Sequence, residues 1–150
     1  KGDMYYDKKQ TGKAFKAYES ALKYQPDYIM VLNNYAYYLS VHGKKLKKAL
    51  QMSKKTIEAE PDNATYLDTF GWILYLMGRP EEALSHFKRA MIYGGKDSPV
   101  ILDHYAEVLF ALKEYDMAFV YWNLALQKNT EDDVPGLKEK VDRKKAEVGR

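Results

Sequence analysis

The sequence predicts an all-α fold, an array of antiparallel helix pairs stacked in one direction. Three observations predict it. Residues 32–37 (LNNYAY), 67–72 (LDTFGW) and 102–107 (LDHYAE) share one pattern at a spacing of 35 residues: Leu first, Asn or Asp second, an aromatic fourth, Ala or Gly fifth. Three ladders of small residues keep nearly the same step: Gly2, Ala36, Gly71, Ala106; Ala14, Ala49, Ala83, Ala118; and Ala21, Thr56, Ala90, Ala125. Within each period the large apolar residues recur at helical spacing. A period of this length is the mark of supersecondary units that bury their faces against one another.

Each element follows from the same pattern. The first helix of a unit carries an i, i+3, i+4, i+7 stripe: Leu32, Tyr35, Ala36, Leu39, then Leu67, Phe70, Gly71, Leu74, then Leu102, Tyr105, Ala106, Leu109. The second helix repeats it with Ala83, Phe87, Ala90, Met91 and with Ala118, Trp122, Ala125, Leu126. Small residues mark where backbones approach. Gly43 and Gly78 follow first helices, where a left-handed residue ends a helix well. Pro80 opens a second helix, with Glu81 and Glu82 at the positive end of its dipole. Pro26 and Pro61 close second helices, and Asp27, Asp62 and Asn63 supply turn chemistry after them. In the third unit Gly94-Gly95 replaces the proline, and Ser98-Pro99 starts the next helix. Asp132-Asp133-Val134-Pro135 reads as one more helix start. Beyond it Leu137, Val141 and Val148 share a face, with Lys138, Lys140, Arg143, Lys144 and Lys145 mostly around the rest, read as a solvated surface.

Composition bounds the function. The 150 residues suffice for one array, and a hydrophobic fraction of 46% beside 30% charged residues is that of a folded protein. No cysteine is present, which excludes disulfides and thiolate chemistry and leaves the redox compartment open. No apolar run reaches the roughly 18 residues of a membrane span. The net charge of +3 is uneven. Residues 1–60 hold 12 basic against 6 acidic side chains, residues 61–130 hold 6 against 9, and the last twenty are balanced.

These residues resemble the tetratricopeptide repeat (TPR) family, whose units carry Trp-x-x-Leu-Gly-x-x-Tyr on the first helix and Ala-x-x-x-Phe-x-x-Ala, then Pro, on the second. The third unit matches best, with Leu67, Phe70, Gly71, Leu74, Ala83, Phe87 and Ala90. The fourth gives Leu102, Tyr105, Ala106, Leu109, Ala118, Trp122 and Ala125. The second continues as Ala49, Ser53, Thr56 and Pro61, with one extra residue between Gly43 and Lys48. The first enters partway, at Gly2 and Tyr5, and continues as Ala14, Tyr18, Ala21 and Pro26. The likeness runs from Gly2 to about Asn129; a looser one, to multi-repeat bacterial proteins of the cell envelope, covers the same segment. It implies a right-handed solenoid with repeats near 1–28 (truncated at its start), 29–63, 64–98 and 99–132 and a capping helix over 134–148, the C-terminal part of a longer array.

The resemblance also implies a use for the positions that vary. In this family the free face of the first helices lines a groove that holds extended or helical segments of other proteins. Here that face carries Asp3 and Tyr6, then Asn33, Tyr37 and Ser40, then Asp68, Trp72 and Tyr75, then Asp103, Glu107 and Phe110. The expected groove is acidic and aromatic, with no lysine or arginine. Of the lysine, arginine and asparagine clamp by which some members grip a carboxylate, only Asn34 fits; Asp3, Thr65 and Thr69 occupy other places. The expected partner is therefore a segment with basic and apolar side chains, held without catalysis, metal or cofactor. The other account of these residues is local hydrogen bonding and packing between repeats. Two alternatives belong to other classes: self-association through an open end of the array, and binding of nucleic acid or anionic lipid through Lys44–Lys55. A solvated turn explains those lysines more simply, since no aromatic interleaves them. His104 and Glu107, at i, i+3, are a bare metal pair with Asp103 nearby. No nucleophile motif and no phosphate loop points to an enzyme.

Overall fold

A computed structural model describes residues 11–150. The expectations placed on Gly2, Asp3, Tyr5 and Tyr6 lie outside the described residues. Eight α-helices and one short 3₁₀ turn make up the regular structure of the described part: α1 Thr11–Tyr24, α2 Ile29–Val41, α3 Leu46–Ala59, α4 Ala64–Leu76, α5 Pro80–Ile92, the 3₁₀ turn Gly95–Asp97, α6 Pro99–Ala111, α7 Tyr115–Lys128 and α8 Leu137–Glu147. The closest packing is within α2–α3, α4–α5 and α6–α7, and the first helices α2, α4 and α6 also touch in series. This is an all-α helical repeat solenoid.

The small-residue ladders show why the pairs form. Ala14, Ala49, Ala83 and Ala118 are fully buried, as are Ala36 and Ala106. At Gly71 an added Cβ would sit 2.8 Å from Cε2 of Phe87, itself fully buried, so the Phe87 ring of α5 packs directly on the α4 backbone, in the space a side chain would take. The apolar stripes fill the space alongside. One core runs from Leu67 through Phe87, Tyr105 and Trp122 to Leu137 and Val141. A second joins Ala14, Tyr18, Tyr35 and Leu39 to Ala49 and Ile73, so α4 contributes to both.

Turn chemistry fixes the spacing. Asn63 caps α4 by accepting from the Tyr66 N–H at 3.1 Å, and Ser98 caps α6 by accepting from Ile101 at 3.2 Å. Three first helices end alike: Lys44 N–H bonds to Leu39 C=O, Arg79 to Leu74 and Glu114 to Leu109, each at 2.9 Å. The residue before each donor is left-handed, Gly43 at φ 63°, Gly78 at 78° and Lys113 at 65°. The extra residue of the second unit is absorbed at Lys45, also left-handed at φ 48°. One expectation needs correcting. The helix start read at Asp132–Pro135 falls later, because Asn129 bonds Val134 in both directions and Gly136 turns at φ 73° before Leu137.

Candidate functional site: the face of the first helices

Asn33 and Tyr37 stand on α2, Asp68, Trp72 and Tyr75 on α4, and Asp103, Glu107 and Phe110 on α6. They are unequally exposed. Asn33, Asp68 and Asp103 are 5%, 5% and 7% exposed, while Tyr37, Trp72, Tyr75, Glu107 and Phe110 are half-buried. A carboxylate at that depth needs a partner, and each has one.

Asp68 accepts a 2.7 Å bond from Nδ1 of His104, on the next first helix. The imidazole stacks on Trp72, with centroids 4.1 Å apart and planes 17° from parallel, and Trp72 in turn contacts Tyr75 at 4.9 Å. Burial pushes the His104 pKa down, but the charge and hydrogen bond of Asp68, helped by Asp103, outweigh it, and the net shift is upward. Asp103 accepts from Nε1 of Trp122 at 2.8 Å and from Nζ of Lys140 at 2.7 Å. The same ammonium meets Glu107 at 2.6 Å and lies 5.9 Å from the centre of the Trp122 ring. Lys144 approaches Glu107 at 3.7 Å and sits 4.7 Å over Phe110. Burial lowers the Lys140 pKa, yet Asp103 and Glu107 together drive it upward, so this lysine stays charged in the site.

This arrangement corrects the expectation of a face free of lysine and arginine. Leu137 and Val141 anchor α8 in the core, and that anchoring swings Lys140 and Lys144 onto the carboxylates of α6. They are not part of a solvated surface. His104 and Glu107, three residues apart on α6, serve different partners, one Asp68 and the other Lys140.

The open part of the face lies nearer α2. A groove of about 500 Å³ is walled by Asn33, Asn34 and Tyr37 of α2 and by Thr65, Asp68 and Thr69 of α4. Val100 of α6 and Asp133 of the α7–α8 loop close its far side. Among the described residues no lysine or arginine lines it. On the opposite side, between α3 and α5, a groove of about 550 Å³ has a floor of Leu50, Ile57, Phe70 and Leu74 under Lys54, Glu58 and Arg79. In the lysine-rich stretch, Lys44, Lys45, Lys47, Lys54 and Lys55 are exposed, and Lys48 pairs with Glu19 at 3.4 Å. Asn34, Thr65 and Thr69, which the sequence placed only at clamp positions, and Asp133, which it read as part of a helix start, line the same pocket.

A model of the tetratricopeptide repeat family matches residues 2–131, and the chain belongs to that family. Its fold supports protein–protein interaction scaffolds, which typically carry no chemistry of their own. Among solved structures it is similar to PilW, described as a widely conserved type IV pilus biogenesis factor, at 19% identity and TM-score 0.81 over 99% of this chain and 67% of that one. It is also similar to MamA, at 17% identity and TM-score 0.70 over 99% and 84%. The third is PilF of Pseudomonas aeruginosa, at 21% identity and TM-score 0.68 over 85% and 57%. At these identities the likeness is one of fold. No curated protein matches the sequence. No helix among the described residues is long and apolar enough to cross a membrane.

Proposed function

We propose that this protein is a non-catalytic scaffold or adaptor that holds a segment of another protein in the groove of its first helices. The segment presents basic and apolar side chains. One observation carries the reading: three successive first helices leave a groove of about 500 Å³ whose wall, among the described residues, offers acceptors and aromatic surface and no lysine or arginine. Asn33, Tyr37, Asp68 and Asp133 form its working part, with apolar contact on the Tyr37 ring and charge complementarity from the carboxylates, while Trp72 and Tyr75 continue the aromatic face beyond it. Asp103, Glu107 and Phe110 form an end already covered by α8.

Selection from a random peptide library on the full chain, followed by calorimetry on the selected peptides, tests this. Asn34 and Thr65 are exposed on the rim, so Asn34→Lys/Thr65→Lys adds charge without touching the core. The expected result is peptides rich in Lys or Arg whose affinity drops at least about tenfold, roughly 1.4 kcal/mol, on the double variant. Peptides that bind the folded double variant undiminished contradict the proposal.

A further inference from the structure

The three units can be compared at one position. Asp103 receives two donors, Trp122 Nε1 and Lys140 Nζ. Asp68, one period earlier, receives His104. Asn33, one period earlier again, is 5% exposed, and its Oδ1 is buried with no hydrogen-bond partner among the described residues. The cause is local. The residue in phase with His104 is Thr69, and its hydroxyl turns back to donate to the Thr65 carbonyl at 3.2 Å. A buried acceptor left open costs free energy that a neighbouring group normally removes, and the residue that carries it lines the groove.

The chain shows what a donor at such a position looks like. One unit beyond Asp68, the Lys140 ammonium bridges Asp103 and Glu107 at 2.7 and 2.6 Å and lies 5.9 Å from the centre of the Trp122 ring. The Asn33 pocket offers related acceptors: the amide, the Asp133 carboxylate and that of Asp68, which already receives His104, with Tyr37 beside them and no lysine or arginine among the described residues that line it.

We infer that the pocket between Asn33 and Asp68 is a subsite for one cationic head group, the ammonium or guanidinium of a lysine or arginine side chain on the partner segment. The inference rests on the groove being the binding surface and adds where the charge goes: next to α2 and α4, not at the carboxylates of α6, whose place is taken by α8. The Asn33 amide turns about its last side-chain bond to bring Oδ1 to the head group, whose stem lies along Tyr37.

The test uses the ¹⁵N-labelled full chain and two small probes, Nα-acetyl-lysine methylamide and its uncharged norleucine counterpart, followed by NMR. The lysine probe should give saturable shifts at the Asn33 side-chain amide and at the amides of Thr65, Asp68 and Thr69, with binding at least about tenfold tighter than norleucine. Asn33→Leu should abolish that response while leaving the thermal midpoint unchanged or higher, because an apolar isostere removes an acceptor that had no partner. Asn33→Asp, which copies the next two units, should tighten lysine binding. Equal responses to the two probes, no saturable shift at these residues, or a clear fall in thermal midpoint on Asn33→Leu would each overturn the inference. If selected peptides bind the groove while the lysine probe does not respond, this subsite fails and the scaffold reading stands.

Discussion

His104 joins the third and fourth units beneath the groove. Its imidazole is buried, bonded to Asp68 and stacked on Trp72, and the groups facing it include Asp103 and Lys140 as well as the Tyr37 ring. Because its pKa is raised above the usual 6.5, the folded state holds its proton more tightly than the unfolded chain. The resulting stabilisation is fully present below pH 6.5 and is lost as pH rises through the raised value. Thermal unfolding between pH 6 and 9 should therefore show a midpoint that declines with pH. His104→Gln, which keeps a donor for Asp68 without titrating, should flatten the decline. An unchanged slope in that variant would show that the imidazole does not carry the linkage. The Asp68–His104 pair spans 36 residues, one more than the repeat. It was legible only as an offset in the alignment of units: a carboxylate on one first helix faces the residue after the in-phase position on the next.

At the scale of the element, the helix ends offer a comparison that the repeat itself sets up. Gly43, Gly78 and Lys113 occupy the same left-handed position at the close of α2, α4 and α6. A side chain there costs about 1–2 kcal/mol, partly offset by the extra freedom glycine gives the unfolded chain. Lys113→Gly should stabilise the protein by about 0.5–1 kcal/mol, read from urea unfolding; a loss of stability would mean that the lysine stem packs against something the backbone argument omits. The opposite case is Gly71, where a methyl group would press on Phe87. Alanine gains about 1 kcal/mol of helix propensity there and loses about 1–3 to overpacking. Gly71→Ala should thus be net destabilising, and less so in a Phe87→Leu background. Such positions were legible from sequence because repetition puts each one in phase with its equivalents. The entry to α8 was not. Gly136 and the Asn129–Val134 bonds have no counterpart earlier in the chain, so the run Asp132–Pro135 looked like a helix start with nothing to compare it against.

For the molecule as a whole, the helices α2, α4 and α6 are arranged by their cores, and the exposed remainder of the same helices becomes a surface. Small residues in phase bring the pairs together, the apolar stripes join them into two cores that share α4, and the leftover positions face the groove. The fold and the identity of this face follow from periodicity. Its charge does not, because α8 is outside the period and carries Lys140 and Lys144 onto the carboxylates of α6. The acidic character read from the sequence is thereby neutralised at the α6 end, while between α2 and α4 Asp68 is held by His104 and Asp133 reaches the groove. The central claim is that partners dock there and not in the apolar groove between α3 and α5. The most direct measurement is paramagnetic broadening of the ¹⁵N-labelled chain by a spin-labelled peptide taken from the library selection. The account predicts that Asn34, Thr65 and Thr69 lose intensity while Gln51, Glu58 and His86 keep theirs; the reverse pattern would contradict it.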